Sequence, residues 1–111
     1  MRSGIWVIGL ALAGSMAAAE DAWLDGAAIT GLLTGATLTY DDGSNQVFNA
    51  GGGTVYTKDR PSTGRWQVRG DRYCSVWPPS DVWACYDVTN GAGAIGFVAD
   101  DGSVILGQLQ P

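Results

Sequence analysis

The residues with chemical potential are concentrated in one stretch, Gly64 to Val88. It holds Cys74 and Cys85, the only two cysteines of the chain, three of its five tryptophans and three of its six basic residues. Two thiols in a chain without histidine cannot complete a metal site. Ten residues separate them, unlike the close, thiolate-prone pair of C-x-x-C redox chemistry. The reading is one structural disulfide, Cys74–Cys85, on a β-hairpin.

That pairing sets a register, because antiparallel partners sum to a constant. Arg72 falls opposite Asp87 and Val76 opposite Trp83, on the face of the disulfide. Tyr73 opposite Tyr86, Ser75 opposite Ala84 and Trp77 opposite Val82 share the other. Opposed charges and aromatic pairs are what cross-strand packing favours. The connecting loop is Pro78-Pro79-Ser80-Asp81, with Trp77 expected as an exposed ring at its tip.

Other motifs carry less. Gly91-Ala92-Gly93-Ala94-Ile95-Gly96 matches G-x-G-x-x-G, but dinucleotide binding requires a helix to open at the motif. Strand-like Phe97-Val98-Ala99 follows, so the expectation is a hairpin turn and no cofactor. Asp41-Asp42-Gly43-Ser44 and Asp100-Asp101-Gly102-Ser103 echo each other; they lack the spaced oxygen ligands of a calcium loop and read as turns. Serine and threonine have no visible base. Asp71 and Asp87 are better explained by turn formation and by Arg72 than as an acid–base pair, so no catalytic residue is assigned.

The elements that position these residues follow from pattern. Asp25 caps a short helix that places Ile29, Leu32 and Leu33 on one face, with Gly35 as its left-handed stop. Eight β-type runs follow: 36–40, 46–49, 54–58, 64–69, 72–77, 82–89, 94–99 and 103–109. Turn chemistry separates them, at 41–44, 51–53, 60–63, 70–71, 78–79, 90–91 and 100–102. Connections this short cannot make parallel crossovers, so the fold class is mainly β. We expect an antiparallel meander of seven or eight strands curled into a small barrel or half-barrel, with one short N-terminal helix; a two-sheet sandwich is the second choice.

Arg2, the apolar run Ile5–Ala13 and Ala17-Ala18-Ala19 read as a signal peptide over residues 1–19. Cleavage would leave 92 of the 111 residues, with an N-terminal segment over 20–35 and one β domain over 36–111. The formal charge of −5 would become −6. Such a chain is a poor partner for nucleic acid and keeps no stable membrane span after cleavage; a periplasmic or secreted location follows.

The block Gly64-x-Trp66-x-Val68-x-Gly70-Asp71-x-Tyr73-Cys74, then Trp77-Pro78-Pro79 and Trp83-x-Cys85-Tyr86, resembles a family of small uncharacterised exported proteins of proteobacteria. Leu33-Thr34-Gly35-x-Thr37-Leu38 and Gly53-Thr54-Val55-Tyr56 extend the resemblance over nearly the whole mature chain. It implies a periplasmic β-rich domain of unknown function. Some similar proteins carry a dihydrodipicolinate reductase label, but that chemistry needs a nucleotide-binding and a substrate domain, and this chain has room for neither.

The functional expectation is a non-enzymatic binding or interaction module whose aromatic and arginine surface uses Trp77, Trp83, Arg65 and Arg69, together with Trp66 and Tyr86. Its partner would be an envelope protein or a small apolar ligand. Inhibition of a secreted protease is the alternative, and a small hydrolase ranks below both. Ligand binding calls for a cavity of a few hundred Å³; inhibition calls for a filled core and a protruding segment.

Overall fold

The computed structural model describes residues 22–111. The expected signal segment, residues 1–19, and the mature start near Glu20 lie outside the described residues.

Among the described residues one helix, α1 (Gly26–Leu33), precedes most of the sheet. Asp25 caps it, accepting from the Ala28 N–H at 2.9 Å. The Gly26 N–H, another donor of the open first turn, goes to Asp71 Oδ1 at 2.8 Å, so a distant turn helps cap the helix. Gly35 follows with φ +77°, and its N–H reaches the Phe48 carbonyl at 2.7 Å. Ile29 and Leu33, four apart and therefore on one face, are fully buried.

The strands are β1 (Ala22–Trp23), β2 (Thr37–Tyr40), β3 (Asn45–Phe48), β4 (Gly53–Thr57), β5 (Pro61–Arg69), β6 (Arg72–Val76), β7 (Ala84–Gly91), β8 (Ala94–Val98) and β9 (Val104–Leu109). From β2 to β9 each strand pairs antiparallel with the next, and β9 returns to β2, Gly107 opposite Tyr40 and Leu109 opposite Leu38. The result is a closed eight-stranded barrel. The two residues of β1 add to β7 beyond the end of β6, Ala22 opposite Asn90 and Trp23 opposite Thr89.

Cys74 and Cys85 are disulfide-bonded, and Tyr73 faces Tyr86 and Ser75 faces Ala84, the register counted from the cysteines. Arg72 Nε lies 3.2 Å from Asp87 Oδ1. Ala92 and Gly93, with φ of 53° and 82°, form the turn between β7 and β8 with both central residues at positive φ, the type I′ signature. The glycine motif is therefore a hairpin. The echoed turns are alike: the Ser44 and Ser103 N–H groups each donate at 2.9 Å to the aspartate two residues before, Asp42 and Asp101.

Several boundaries differ from expectation. The turn expected at 90–91 falls instead at 92–93, because Asn90 and Gly91 stay in the ladder, opposite Ile95 and Ala94, and β7 runs on to Gly91. β5 begins at Pro61, inside the predicted turn 60–63, because Pro61 pairs with Thr57 as the first residue of its strand, where a missing N–H is tolerated. β7 begins at Ala84, so the predicted partners Val76–Trp83 and Trp77–Val82 are not in the ladder, and the β6–β7 connection widens to 77–83. β1 has too little periodicity to be read from sequence.

The disulfide closes a loop across 11 positions, for which the chain-entropy account gives about 3 kcal/mol. Urea denaturation of the Cys74→Ser, Cys85→Ser double variant is expected to show a stability lower by about 2 to 4 kcal/mol, with the barrel retained in the absence of denaturant.

Candidate functional site: an aromatic cavity at the open end of the barrel

Closure sorts alternate residues of each strand into inside and outside. Hairpin turns alternate between the ends of an up-and-down barrel. Turns 49–52, 70–71 and 92–93 lie at one end, and 41–44, 58–60, 77–83 and 99–103 at the other. Helix α1 lies across the first end, tied to the β5–β6 turn through Asp71 and to β3 through Gly35. Its Ile29 and Leu33 join Leu38, Phe48, Trp66 and Ile95 in the buried core. Phe48 and Trp66 meet edge to face at 5.7 Å, and Trp66 Nε1 donates to the Asn49 carbonyl at 3.0 Å. That end is filled.

The other end holds a cavity of about 510 Å³. Tyr40, Tyr56 and Trp77 line one part of its wall, with ring centroids 6.2 and 6.4 Å apart in sequence. Tyr73, Tyr86 and Phe97 line another, Tyr73 to Phe97 at 5.0 Å and Tyr73 to Tyr86 at 6.1 Å. Two inward glycines make room for the rings. A Cβ on Gly64 would sit 2.6 Å from both the Trp77 ring and the Val76 carbonyl oxygen, and one on Gly107 3.0 Å from the Tyr40 ring. This is why Trp77, expected at an exposed loop tip, is folded inward: its ring packs where Gly64 has no side chain.

The polar groups of the cavity are neutral and largely engaged. Tyr40 donates its hydroxyl to Gln46 Oε1 at 2.6 Å, and Gln46 Nε2 donates to Thr54 Oγ1 at 2.9 Å and to the Tyr73 hydroxyl at 3.3 Å. Trp77 Nε1 donates to Ser75 Oγ at 3.3 Å. The Tyr56 and Tyr86 hydroxyls have no hydrogen-bond partner among the described residues. Burial raises the Tyr40 and Tyr73 phenols above the ordinary tyrosine range.

Carboxylates stand at the rim. Asp41 and Asp42 border the cavity. Asp42 accepts from the Ser44 hydroxyl and N–H and lies 3.1 Å from Lys58 Nζ; these contacts, the serine first, lower its pKa to about 2. The apolar part of the rim is Val104, Ile105 and Leu106, each about half exposed.

The residues singled out from sequence are thus spread over three places. Trp77 and Tyr86 line the cavity. Trp66 is in the core of the filled end. Trp83 is outside, with the Arg69 guanidinium 5.0 Å from its ring centroid, and Arg65 is exposed on an outward position of β5. Tyr40, Gln46, Tyr56, Phe97 and Ile105 were not singled out. A faint signal existed for two of them: Tyr40 and Tyr56 each sit two residues past a buried inward position, Leu38 and Thr54, beside a turn of the open end. Among the described residues no three potential metal-ligating side chains converge.

Two outcomes follow. Gly64→Ala is expected to push Trp77 off its seat, costing about 1 to 3 kcal/mol in a denaturant melt and shifting tryptophan emission to the red. The raised phenols bear on alkaline stability: their neutral forms are favoured by folding, so the contribution is complete below about pH 10 and is lost as pH rises through the higher folded values. Absorbance titration should show Tyr40 and Tyr73 ionising late, together with alkaline unfolding.

No family model, curated protein or solved structure matches the chain, so the cavity has to be interpreted from its own residues.

Proposed function

We propose that the protein binds one small, largely apolar molecule in the open end of its barrel, outside the cytoplasm. The cavity carries this reading: about 510 Å³ lies within the range of small-molecule sites, and its wall joins aromatic surface to a few fixed neutral polar groups. An eight-stranded barrel has an interior that side chains can fill or that holds one small ligand. Here the end under α1 is filled, and the other is kept open by Gly64, Gly107 and Ser75 facing the rings. The disulfide supports an oxidising compartment, and no helix among the described residues is long and apolar enough to cross a membrane.

Protease inhibition draws on a filled interior and a projecting segment, and the open cavity favours ligand binding over it. Hydrolysis has less support, since Asp42 is held by Ser44 and Lys58 at the rim and Asp87 lies by Arg72 on the outer wall.

Titration with the neutral fluorophore N-phenylnaphthylamine tests the reading. Saturable one-to-one binding with quenching of tryptophan emission is expected. Ile105→Trp, at a half-exposed lip position where added bulk costs the fold little, should weaken it at least about tenfold. Absence of binding, or binding indifferent to Ile105→Trp, would overturn it.

A further inference from the structure

Resting on that reading, we infer that the preferred occupant is an organic cation with an apolar body, such as a quaternary or aryl-substituted ammonium, rather than a carboxylated amphiphile. Three observations converge. First, the wall is aromatic: Tyr40, Tyr56 and Trp77 line one part and Tyr73, Tyr86 and Phe97 another, the last three continuous with the core. Aromatic faces carry negative charge density, and enclosure by several of them is the arrangement that recognises ammonium groups too weakly hydrated to need hydrogen bonds.

Second, nothing inside would neutralise an anion. No arginine or lysine borders the cavity. Arg72 is engaged on the outer wall by Asp87, Asp100 and the Cys85 carbonyl, and Arg69 stacks on Trp83 outside. The interior polar groups are neutral hydroxyls and one amide, with the Gln46 amide N–H already given to Thr54 and Tyr73. A carboxylate would be desolvated there without a charged partner, which is costly.

Third, the turns at the open end carry an excess of carboxylates. They hold Asp41, Asp42, Asp59, Asp81, Asp100 and Asp101 against Lys58 and Arg60; Asp42 pairs with Lys58 and Asp100 with Arg72, which leaves Asp41, at the cavity border, together with Asp59, Asp81 and Asp101. Carboxylates around a low-dielectric cleft concentrate cations at the opening and repel anions. The closed end has no comparable ring: its turns contribute Asp71, whose carboxylate caps α1. The acidity is therefore placed where a ligand enters.

Competition against bound N-phenylnaphthylamine at low ionic strength separates charge from shape. The probes are benzyltrimethylammonium, its neutral isostere neopentylbenzene, and the anion phenylacetate. The ammonium is expected to displace the fluorophore at least about tenfold more tightly than the isostere, with phenylacetate weakest. Asp41→Asn should weaken the ammonium severalfold and leave the isostere unchanged, and Trp77→Ala should weaken both. If the isostere binds as well as the ammonium, or only phenylacetate competes, the charge preference is overturned while the cavity reading stands. If neither the fluorophore nor any probe binds, both fall together.

Discussion

The pairing of β9 with β2 is the constraint on which the rest of the molecule depends. Three residue pairs, Gly107–Tyr40, Gln108–Thr39 and Leu109–Leu38, join the last strand to the first. They remove the two edges a meander would leave and convert strand alternation into an inside and an outside. What the inside becomes is then a matter of side-chain volume. Toward α1, Phe48 and Trp66 meet two helix side chains and fill the bore. Toward the far turns, glycine and serine stand opposite the aromatic rings, and the volume left over is the cavity. Gly107 links the two consequences, since it takes part in closure and also gives the Tyr40 ring its place.

Outside, the same alternation produces a different kind of cover. Cys74 and Val76 are outward by register, yet they are 0% and 6% exposed. Trp83, in the β6–β7 connection, and Arg69, on β5, also lie on the outer face, with the guanidinium 5.0 Å from the ring centroid. Arg72 ties β6 to β7 and to the β8–β9 turn through two carboxylates. Solvent-exposed pairs of this kind contribute little stability each, and their greater consequence is to keep positive charge on the outer wall, away from the bore.

Much of the fold was legible because it is local. The cysteines set the β6–β7 register by counting, the turns announced themselves through Gly43, Gly70 and Gly102, and Asp25 and Gly35 bracketed α1; the β7–β8 turn lies within the glycine-rich 91–96 run, two residues beyond its expected place. The site was less legible because it is not local. Trp66 and Trp77 lie in the same short stretch and both ended up facing inward, one sealed in the core and the other on the cavity wall; only the position of α1 along the barrel axis distinguishes them. Tyr40 and Phe97 lie 57 positions apart and line the same cavity once β9 has closed onto β2. Composition also misleads where function is in question, because the arginines near the aromatic block suggested one mixed surface, whereas the barrel wall leaves Arg65, Arg69 and Trp83 outside and puts Trp77 and Tyr86 on the cavity.

The lip at Val104–Leu106 shows why the cavity opens on that side. These residues pair with β8, Val104 opposite Val98 through Leu106 opposite Gly96, but their other edge has no partner, because β2 ends at Tyr40 and the chain turns away at Asp41. A half-exposed run of Val-Ile-Leu with a free edge is ordinarily a liability that proteins suppress with charge or short length. Here the unpaired part is three residues long and faces the Asp41-Asp42-Gly43 turn, so neighbouring carboxylates discourage a hydrophobic strand from docking there. By alternation Ile105 turns toward the bore, whereas Val104 and Leu106 lie beside Gly96 on the outer side of the rim. The gap follows from the lengths of β2 and β9: their ladder stops at Gly107 and Tyr40, and the lip is the part of β9 that runs on beyond it, so the low side of the rim comes from the mismatch between the first and last strands of the barrel.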